Sequence, residues 1–321
     1  MDVSLQHFHQ LQQETQSDRR LTKQKKRIRI VEAAAQSVFT VCAFSAVFAV
    51  SSITLYMIAN GVPAIHQTGL REILFSAAWK PEARDPAFGI LYMILTSIVG
   101  TTLAVLLGVP AALLTAVFLA EIAPEWLAVV VRPAVELLAG IPSVIYGLLG
   151  MMVLNPVVYR WEQEIFRGSQ THQFTGGANL LSAVLVLTIM ILPTVISISE
   201  SALRAVPPQL KASSMALGAS HIQTIFRVMI PAARPGIITA VVMGVGRAIG
   251  EAMAVNLVSG GSVNFPFPFQ SVRFLTAALV SEMGYAEGLH RQVLFTIGMV
   301  LFLFIMLVNV LLHVILRRGD S

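Results

Sequence analysis

The sequence predicts an all-α integral membrane protein with about six transmembrane helices. Hydrophobic residues make up 55% of its 321 residues and charged residues only 12%, whereas a soluble domain carries about 25% charged residues. A single large core does not explain this deficit, because the surface of a soluble protein still has to face water. Apolar stretches of about 20 residues, the length that crosses a bilayer, recur along the chain. Lipid is therefore the solvent for most of this protein.

Six apolar stretches can be delimited. They cover residues 31–58, 88–119, 127–154, 180–198, 237–258 and 293–316. The second contains Gly108-Val-Pro110 and the third contains Gly140-Ile-Pro142, so each is either one kinked helix or a helix followed by a re-entrant turn. The predicted organisation is a basic tail (1–30), a first span with an outside segment (31–87), and a transmembrane domain (88–317) that carries a loop at 201–236.

Basic residues are distributed unevenly between the two predicted sides. With six spans, fourteen Lys and Arg residues fall on the side of the termini and seven on the other side. Outside the tail, the larger group consists of Arg132, Arg204, Lys211, Arg227, Arg234, Arg317 and Arg318. Because Lys and Arg are enriched in cytoplasmic segments, both termini and the 201–236 loop are predicted to lie in the cytoplasm, with the chain in the cell inner membrane. The net charge of +5 follows from this bias and does not indicate nucleic-acid binding.

Several chemistries find no support in the sequence. No G-x-x-x-x-G-K-[ST] motif occurs, and no Gly is followed by Lys, so we expect no nucleotide bound by a phosphate loop. Cys42 is the only cysteine, which excludes an intrachain disulfide and a cysteine-based metal cluster. The seven histidines do not pair with acidic residues at metal-ligand spacing. We expect no catalytic residue, metal or cofactor in this chain, and any ATP and Mg²⁺ would be used by a partner subunit.

Residues 207–236 form a mostly polar, helix-prone loop between two apolar stretches. Gly218 is expected to separate a helix over 209–217 from a second helix over 221–230, and Pro231 and Pro235 to end the second helix. Two short helices that meet at a glycine would project as a compact knob. Such a knob suits docking into a groove of a partner protein, but an amphipathic hairpin lying on lipid has a similar pattern.

The fifth apolar stretch contains two charged residues, Arg247 and Glu251. Their spacing of four residues would place them on one helix face, where they can pair. Charges inside a membrane mostly face a bundle interior or a water-filled path. One interpretation is a structural ion pair. The other is that Arg247 meets an anion crossing the membrane, with Glu251 holding Arg247 between passages. Gly246 and Gly250 are predicted to let another helix approach closely.

The polar loop resembles the EAA loop of ABC-importer permeases, whose pattern is E-A-A-x-x-x-G, nine residues, then I-x-L-P. The matching positions are Gly218, Val228, Ile230 and Pro231, and the departures are Ala212, Ser213 and Ser214. The resemblance implies the type I ABC importer permease fold and a coupling helix that docks into a separate ATPase subunit. Since Ala212 replaces the family's Glu, a salt bridge to the ATPase at that position is in doubt.

Residues 244–255 (GVGRAIGEAMAV) resemble the G-x-G-R-A-x-G-E-x-M-A-V signature of phosphate-specific permeases. The similarity extends to residues 136–147 (ELLAGIPSVIYG), 76–81 (SAAWKP) and 88–89, and the long tail favours the PstC type over the PstA type. The resemblance assigns phosphate translocation to Arg247 and Glu251. It implies as partners a second, PstA-like permease, two PstB-like ATPase subunits and a periplasmic PstS-like phosphate-binding protein.

Three other functions are alternatives to a phosphate permease. An importer of another oxyanion, sulfate or molybdate, would also use an arginine, but the extended signature disfavours it. An ion-driven secondary transporter predicts inverted repeats and paired broken helices, which are not visible in the sequence. A membrane scaffold would have no reason to place Arg247 in lipid. For residues 140–147, a proline-kinked packing seam and a lining of the path both stay open.

Overall fold

A computed structural model describes the backbone of residues 2–317 and the side chains of residue 32 and residues 35–310. The contacts divide the chain into two units, residues 1–56 and residues 57–321. The first unit is helical throughout its described backbone. The side chains of the basic tail (1–30), together with those of Arg317 and Arg318, lie outside the described residues.

Helices make up nearly all of the described secondary structure. In chain order they are α1 (Asp2–Thr68), α2 (Leu70–Phe75), α3 (Leu91–Val117), α4 (Glu125–Ala139), α5 (Ser143–Leu149), α6 (Asn155–Ile165), α7 (Leu180–Arg204), α8 (Pro208–Ala216), α9 (His221–Thr224), α10 (Ile230–Gly250), α11 (Met253–Val258), α12 (Leu275–Glu282) and α13 (Gly288–Arg317). Three π-helical turns, Phe118–Ile122, Gly150–Leu154 and Ile225–Met229, extend α3, α5 and α9. An antiparallel pair of two-residue strands, β1 (Trp79–Lys80) and β2 (Ala87–Phe88), completes these elements.

Six helical segments of the described chain are long and apolar enough to cross a membrane. They are Ala35–Thr68, Leu91–Ile122, Ser143–Ile165, Leu180–Arg204, His221–Gly250 and Gly288–Val310. The all-α fold class and the number of spans predicted from the sequence are therefore confirmed. The predicted bounds differ most at the third and fifth spans, and in both cases a proline or a glycine accounts for the difference.

The third apolar stretch, 127–154, is not one span. Helix α4 ends at Ala139, and α5 begins at Ser143 after Pro142, whose φ of −57° and ψ of 139° are extended. Proline lacks an N–H group and disfavours helical geometry in the residue before it, so the helix stops here. With 15 residues, α4 is about 22 Å long, too short to cross a bilayer. The second stretch, by contrast, stays continuous through Pro110.

The fifth span begins and ends earlier than predicted. It runs without interruption from His221 to Gly250, and the prediction that Pro231 and Pro235 end a helix is wrong. Pro231 lies in the first turn of α10, directly after the π-helical turn Ile225–Met229. A helix start tolerates a missing N–H group, and the wider π turn accommodates the proline ring. The break comes instead after Gly250.

Alternation of the spans places the connecting segments of the second unit at two opposite ends. We call the end with residues 123–142 and 205–220 the loop face, and the end with residues 69–90, 166–179 and 251–287 the cap face. Helix α7 crosses between these ends and packs against α3 and α10. Its buried residues Leu187 and Met190 join a core cluster with Val255 of α11 and with Phe274. This core cluster of the second unit therefore lies beside the broken end of the fifth span.

Candidate functional site

The fifth span is broken where the sequence places its two charges. Helix α10 ends at Gly250, and Glu251 adopts an extended conformation with φ −72° and ψ 126° before α11 starts at Met253. The carbonyl oxygen of Glu251, freed by this break, accepts a hydrogen bond of 2.6 Å from Thr276 Oγ1. The break is therefore stabilised by a side chain from α12, which supplies a hydrogen-bond partner for backbone outside a regular helix.

Arg247 and Glu251 do not form the predicted pair. Glu251 lies beyond the helix that carries Arg247, and among the ion pairs of the described residues none joins the two. The Nη1 atom of Arg247 donates instead to Thr194 Oγ1 of α7 over 3.1 Å. Glu251 Oε1 accepts from the amide N–H of Ala254 over 2.9 Å and so caps α11. In this structure the two side chains are therefore held by other partners, and the role of Glu251 between passages stays a prediction.

Gly246 and Gly250 lie on the exposed face of α10. Within the part of the chain that the structure describes, a Cβ atom built at either residue would have no heavy atom within 4 Å. Close approach by another helix of the same chain is therefore not what these glycines provide. The exposed strip that they form continues to Met243, which is 55% exposed, and to Met253, which is 46% exposed. A role in packing against a separate chain stays a prediction.

Two of the recognised sequence motifs lie against each other in space. Helix α5, which begins within the motif at 136–147, packs on α11, whose first three residues end the charged motif at 244–255. The approach is closest at Gly147, where a built Cβ atom would lie 2.9 Å from the Cα atom of Ala254. At that separation any side chain larger than hydrogen would push α11 away. The motif at 136–147 thus positions the segment after Glu251, while a contribution to a path stays a prediction.

The loop that resembles the EAA motif forms a helical knob at the loop face. Helix α8 ends before Gly218, whose φ of +85° is left-handed, and Ser220 opens α9 with a capping box. In that box the Ser220 side chain accepts from Gln223 N over 3.2 Å, and the Gln223 side chain accepts from Ser220 N over 3.0 Å. The predicted pair of helices meeting at Gly218 is present.

The knob exposes most of the residues that carry the resemblance. Ala212, Ser213, Gly218 and Pro231 are exposed, Val228 and Ile230 are half-buried, and Ser214 bonds to Thr224 Oγ1 over 2.9 Å. Its large apolar side chains also face outward: Leu217 is 89% exposed, Ile222 65% and Phe226 54%. An apolar surface of this kind fits a protein groove and also fits a lipid surface, so both interpretations of the loop remain.

Buried carboxylates attach the knob and its neighbours to the bundle at the loop face. Glu121 Oε2 lies 2.5 Å from Lys211 Nζ and 3.8 Å from His221 Nε2. Glu200 Oε1 lies 2.5 Å from Arg132 Nε and 2.9 Å from Arg204 Nε. A cavity of about 210 Å³ opens beside Arg132 and Arg204. These pairs were not predicted from the sequence, although the spacing of Glu200 and Arg204 by one helical turn was a usable signal.

Two more buried carboxylates organise the cap face. Glu162 Oε1 lies 2.9 Å from His172 Nε2, and Glu282 Oε2 lies 2.8 Å from His290 Nε2. Glu282 Oε1 also accepts from Trp79 Nε1 over 3.2 Å, which ties β1 to α12 and α13. Among the described residues, no group of His, Cys, Asp and Glu is arranged to hold a metal ion. These histidines anchor the cap, and spacing along the sequence could not reveal that.

Comparison with known proteins places this geometry in a family. The sequence pattern of the family described as "binding-protein-dependent transport system inner membrane component" matches residues 108–319. A probable ABC transporter permease protein, YqgH, of Bacillus subtilis (strain 168) is 37% identical over 301 residues, which cover 91% of this chain and 94% of that protein. The matched region contains both the knob and the broken fifth span.

Other relatives carry a more specific description. The phosphate transport system permease protein PstC of Xylella fastidiosa (strain 9a5c) is 34% identical over 84% of this chain and 86% of that protein. A probable phosphate transport system permease protein PstC of Methanocaldococcus jannaschii is 30% identical over 81% of this chain and 85% of that protein.

Solved structures agree on the fold. A bacterial ABC transporter that imports the polysaccharide alginate superposes with a TM-score of 0.55 at 18% identity, covering 72% of this chain and 80% of that chain. The MetNI methionine ABC transporter superposes with a TM-score of 0.50 at 20% identity, covering 72% and 94%. The permease fold of ABC importers, expected from the loop motif, is confirmed. The chain belongs to the family of binding-protein-dependent transport system inner membrane components.

Proposed function

We propose that this chain is a permease subunit of an ATP-driven importer that moves inorganic phosphate across the cytoplasmic membrane. The observation that carries the proposal is the similarity, at 30–34% identity over more than four fifths of the chain, to proteins named as phosphate transport permeases. The geometry of the fifth span supports it independently, because no carboxylate of the described residues forms an ion pair with Arg247 of that span.

Arg247 is the residue we assign to the phosphate anion. Among the described residues, the structure gives its guanidinium one polar partner, the neutral hydroxyl of Thr194. A hydroxyl satisfies one donor but leaves the positive charge uncompensated, and a guanidinium has further donors in a planar fork that fits phosphate oxygens. An ionisable residue inside a membrane span is by default a candidate for a substrate or ion pathway. Transport requires that this contact stays weak enough for release.

Glu251 belongs to the translocation site by shaping it. Its side chain caps α11 and its backbone carries the break in the fifth span. A broken helix places free backbone groups and the start of a second helix near Arg247. In an unbroken helix, these backbone groups would be used by the hydrogen bonds of the helix itself. We therefore assign Glu251 a positioning role near the path and not the neutralisation of Arg247.

The knob is proposed to dock into a separate ATPase subunit, PstB-like in the resemblance. Exposed Leu217, Ile222 and Phe226 supply the apolar anchors that a helix in a groove requires. Ala212 cannot supply the salt bridge of the family's Glu, so apolar contact has to provide more of the affinity. ATP and Mg²⁺ would be bound by that subunit.

A second, PstA-like permease and a PstS-like phosphate-binding protein complete the proposed assembly. Among the described residues, no heavy atom lies within 4 Å of a Cβ built at Gly246 or Gly250, so this strip beside Arg247 offers a close approach to the second permease. The binding protein would deliver phosphate at the cap face, and the knob would lie in the cytoplasm. Closure of the ATPases would move the knobs as rigid bodies and open the path outward, and ATP hydrolysis would return it inward.

Reconstitution tests this function. The chain is assembled with candidate permease, ATPase and binding-protein subunits in vesicles, and uptake of radiolabelled phosphate is measured against sulfate and molybdate. We expect ATP-dependent uptake of phosphate that sulfate and molybdate do not inhibit. Transport of sulfate or molybdate in place of phosphate would move the protein to the rival oxyanion class, and uptake without an ATPase would move it to secondary transporters.

Arg247→Gln is the variant that tests the site. Loss of a charge-assisted contact is worth about 1.5–3 kcal/mol, so uptake should fall by roughly tenfold to a hundredfold. Arg247→Lys keeps the charge without the planar fork and should give an intermediate rate. Exposed Arg291 at the start of α13 provides the control, because Arg291→Gln changes the same charge away from the site. Unchanged uptake in Arg247→Gln would remove Arg247 from the path and leave the permease assignment standing.

A further inference from the structure

The end of α3 carries an irregular turn on which several contacts of the loop face converge. In the π-helical turn Phe118–Ile122, the amide N–H of Ala123 donates to Phe118 O over 2.7 Å, five residues back. In an α-helix the same N–H would bond to the carbonyl oxygen of Leu119, four residues back. The π turn therefore frees the Leu119 carbonyl for other partners. Such turns frequently occur at functional sites.

Two arginines from two other helices occupy the freed carbonyl. Arg132 Nη2 of α4 donates to Leu119 O over 3.3 Å, and Arg204 Nη2 of α7 donates to the same atom over 3.4 Å. The Nε atoms of both arginines are bonded to Glu200 Oε1, whose side chain is only 9% exposed. The turn at the end of α3 is thereby fixed to α4 and to the last turn of α7.

The same turn also binds the knob. The carboxylate of Glu121, only 8% exposed, bonds to Lys211 of α8 and has His221 of α9 at 3.8 Å. Both helices of the knob therefore meet one acidic side chain from α3. The apolar contacts below the knob, among them Val117, Leu203 and Ile225, are less directional than this ion pair.

We propose that Glu121 is a positioning residue that transmits displacement of the knob to α3 through its ion pair with Lys211. The inference rests on the proposed function, since it presupposes that an ATPase moves the knob. Lys211 precedes Ala212, the position at which the family carries its Glu. In this chain the carboxylate that meets the loop comes from α3. A partly buried ion pair resists separation, because parting the charges leaves one of them unpaired away from water.

This arrangement makes α3, α4 and α7 respond together. A shift of α8 pulls on Glu121, and the turn that carries Glu121 holds Leu119, which Arg132 and Arg204 connect to α4 and α7. Rigid elements joined by directional contacts carry coupling between distant sites. Loss of the Glu121–Lys211 pair should therefore leave the ATPase bound and active but poorly connected to the transmembrane helices.

Charge exchange across the pair tests the proposal. Glu121→Gln, Lys211→Met, and the double variant Glu121→Lys with Lys211→Glu are each assembled into the complete transporter in vesicles. Assembled complexes are isolated by size-exclusion chromatography before they are placed in the vesicles. The readout is the number of ATP molecules hydrolysed per phosphate taken up. The single variants should raise this ratio by about tenfold, within the usual range of allosteric coupling. The double variant should lower it again, because the pair is restored with reversed sign.

Controls separate coupling from loss of structure. Glu125→Gln removes an exposed carboxylate from the first turn of α4, four residues from Glu121, and should leave the ratio unchanged. If Glu121→Gln does not assemble, the Lys211 variants alone test the proposal. Lys211→Met must then uncouple the transporter, and Lys211→Arg, which keeps the charge, must not.

Two results would overturn the inference. One is an unchanged ratio in the assembled single variants, and the other is a double variant as uncoupled as the single ones. Failure of the proposed function is distinguishable, because the wild-type complex would then show no phosphate uptake before any variant is compared.

Discussion

The carboxylate of Glu251 holds the beginning of α11 by accepting the amide hydrogen of Ala254. The first amide groups of a helix have no acceptor within the helix, and a side chain that supplies one stabilises the helix start. The role needs an oxygen that accepts a hydrogen bond, and it does not need a negative charge. This separates the cap from the neutralising partner of Arg247 that the four-residue spacing had suggested.

The effect of substituting Glu251 should therefore depend on whether the new side chain keeps an accepting oxygen, and not on its charge. Glu251→Gln keeps an accepting oxygen and should change the free energy of unfolding by only a few tenths of a kcal/mol, whereas Glu251→Ala loses the cap at a cost of about 1 kcal/mol. Thermal unfolding of the purified protein in detergent measures both. Glu287→Ala, at an exposed carboxylate near the start of α13, is the control. Equal losses for Gln and Ala would instead indicate that the charge matters.

Arg247 shows which properties of a single residue can be predicted from the sequence and which cannot. A charge in an apolar stretch is conspicuous, so its position was predictable from composition alone. Its partner Thr194 lies 53 residues away on α7 and depends on how α7 packs against α10. The partners Arg132 and Glu200, 68 residues apart, are hidden for the same reason. Contacts between helices follow from tertiary packing, which no local pattern encodes.

The knob is the element in which sequence and structure agree best, because one backbone position governs it. Gly218 has a φ of +85°, a left-handed conformation that residues with a Cβ atom rarely adopt. No heavy atom of the described residues lies within 4 Å of a Cβ built there, so backbone strain and not crowding explains the glycine. The turn at Gly218 sets the angle between α8 and α9, and with it the position of Leu217.

Gly218→Ala should therefore disturb the knob without filling any space. The left-handed conformation costs a residue with a Cβ atom about 1–2 kcal/mol, so α8 and α9 should shift relative to each other and ATP-driven uptake should fall about tenfold. Gly284→Ala is a matched control, because that glycine is also uncrowded but does not have a left-handed φ. Uptake per assembled complex gives the measurement. Wild-type uptake in Gly218→Ala would argue that the angle of the knob does not matter for coupling.

Among the elements, the six spans were predictable and the irregular turns were not. Hydropathy identifies a span because lipid requires a long apolar helix. The π turn at Phe118–Ile122 instead leaves a carbonyl oxygen that accepts hydrogen bonds from two arginines. Both arginines come from other helices, so the local sequence does not indicate the turn. The end of α4 could be predicted only in part. The sequence Gly140-Ile-Pro142 signalled a break, but hydropathy alone could not tell a kinked span from two separate helices.

At the scale of the whole molecule, the two faces differ in the charge of their segments. The predicted cytoplasmic side holds fourteen of the Lys and Arg residues and the outer side seven, and cytoplasmic segments of membrane proteins carry that excess. The loop face of the second unit includes Arg132 and Lys211, with Arg204 directly before it, and is the side on which a cytoplasmic ATPase would find the knob. Coupling by the knob requires this orientation.

The lone cysteine makes the orientation directly testable. In a Cys42→Ser background, Leu217→Cys places a thiol at the 89% exposed tip of the knob, and Glu82→Cys places one on the exposed cap face. In sealed right-side-out vesicles, a membrane-impermeant maleimide should label Glu82→Cys and not Leu217→Cys. After permeabilisation both should be labelled, which controls for access to each thiol. The reverse pattern would place the knob outside, where no cytoplasmic ATPase can reach it, and would exclude the proposed coupling.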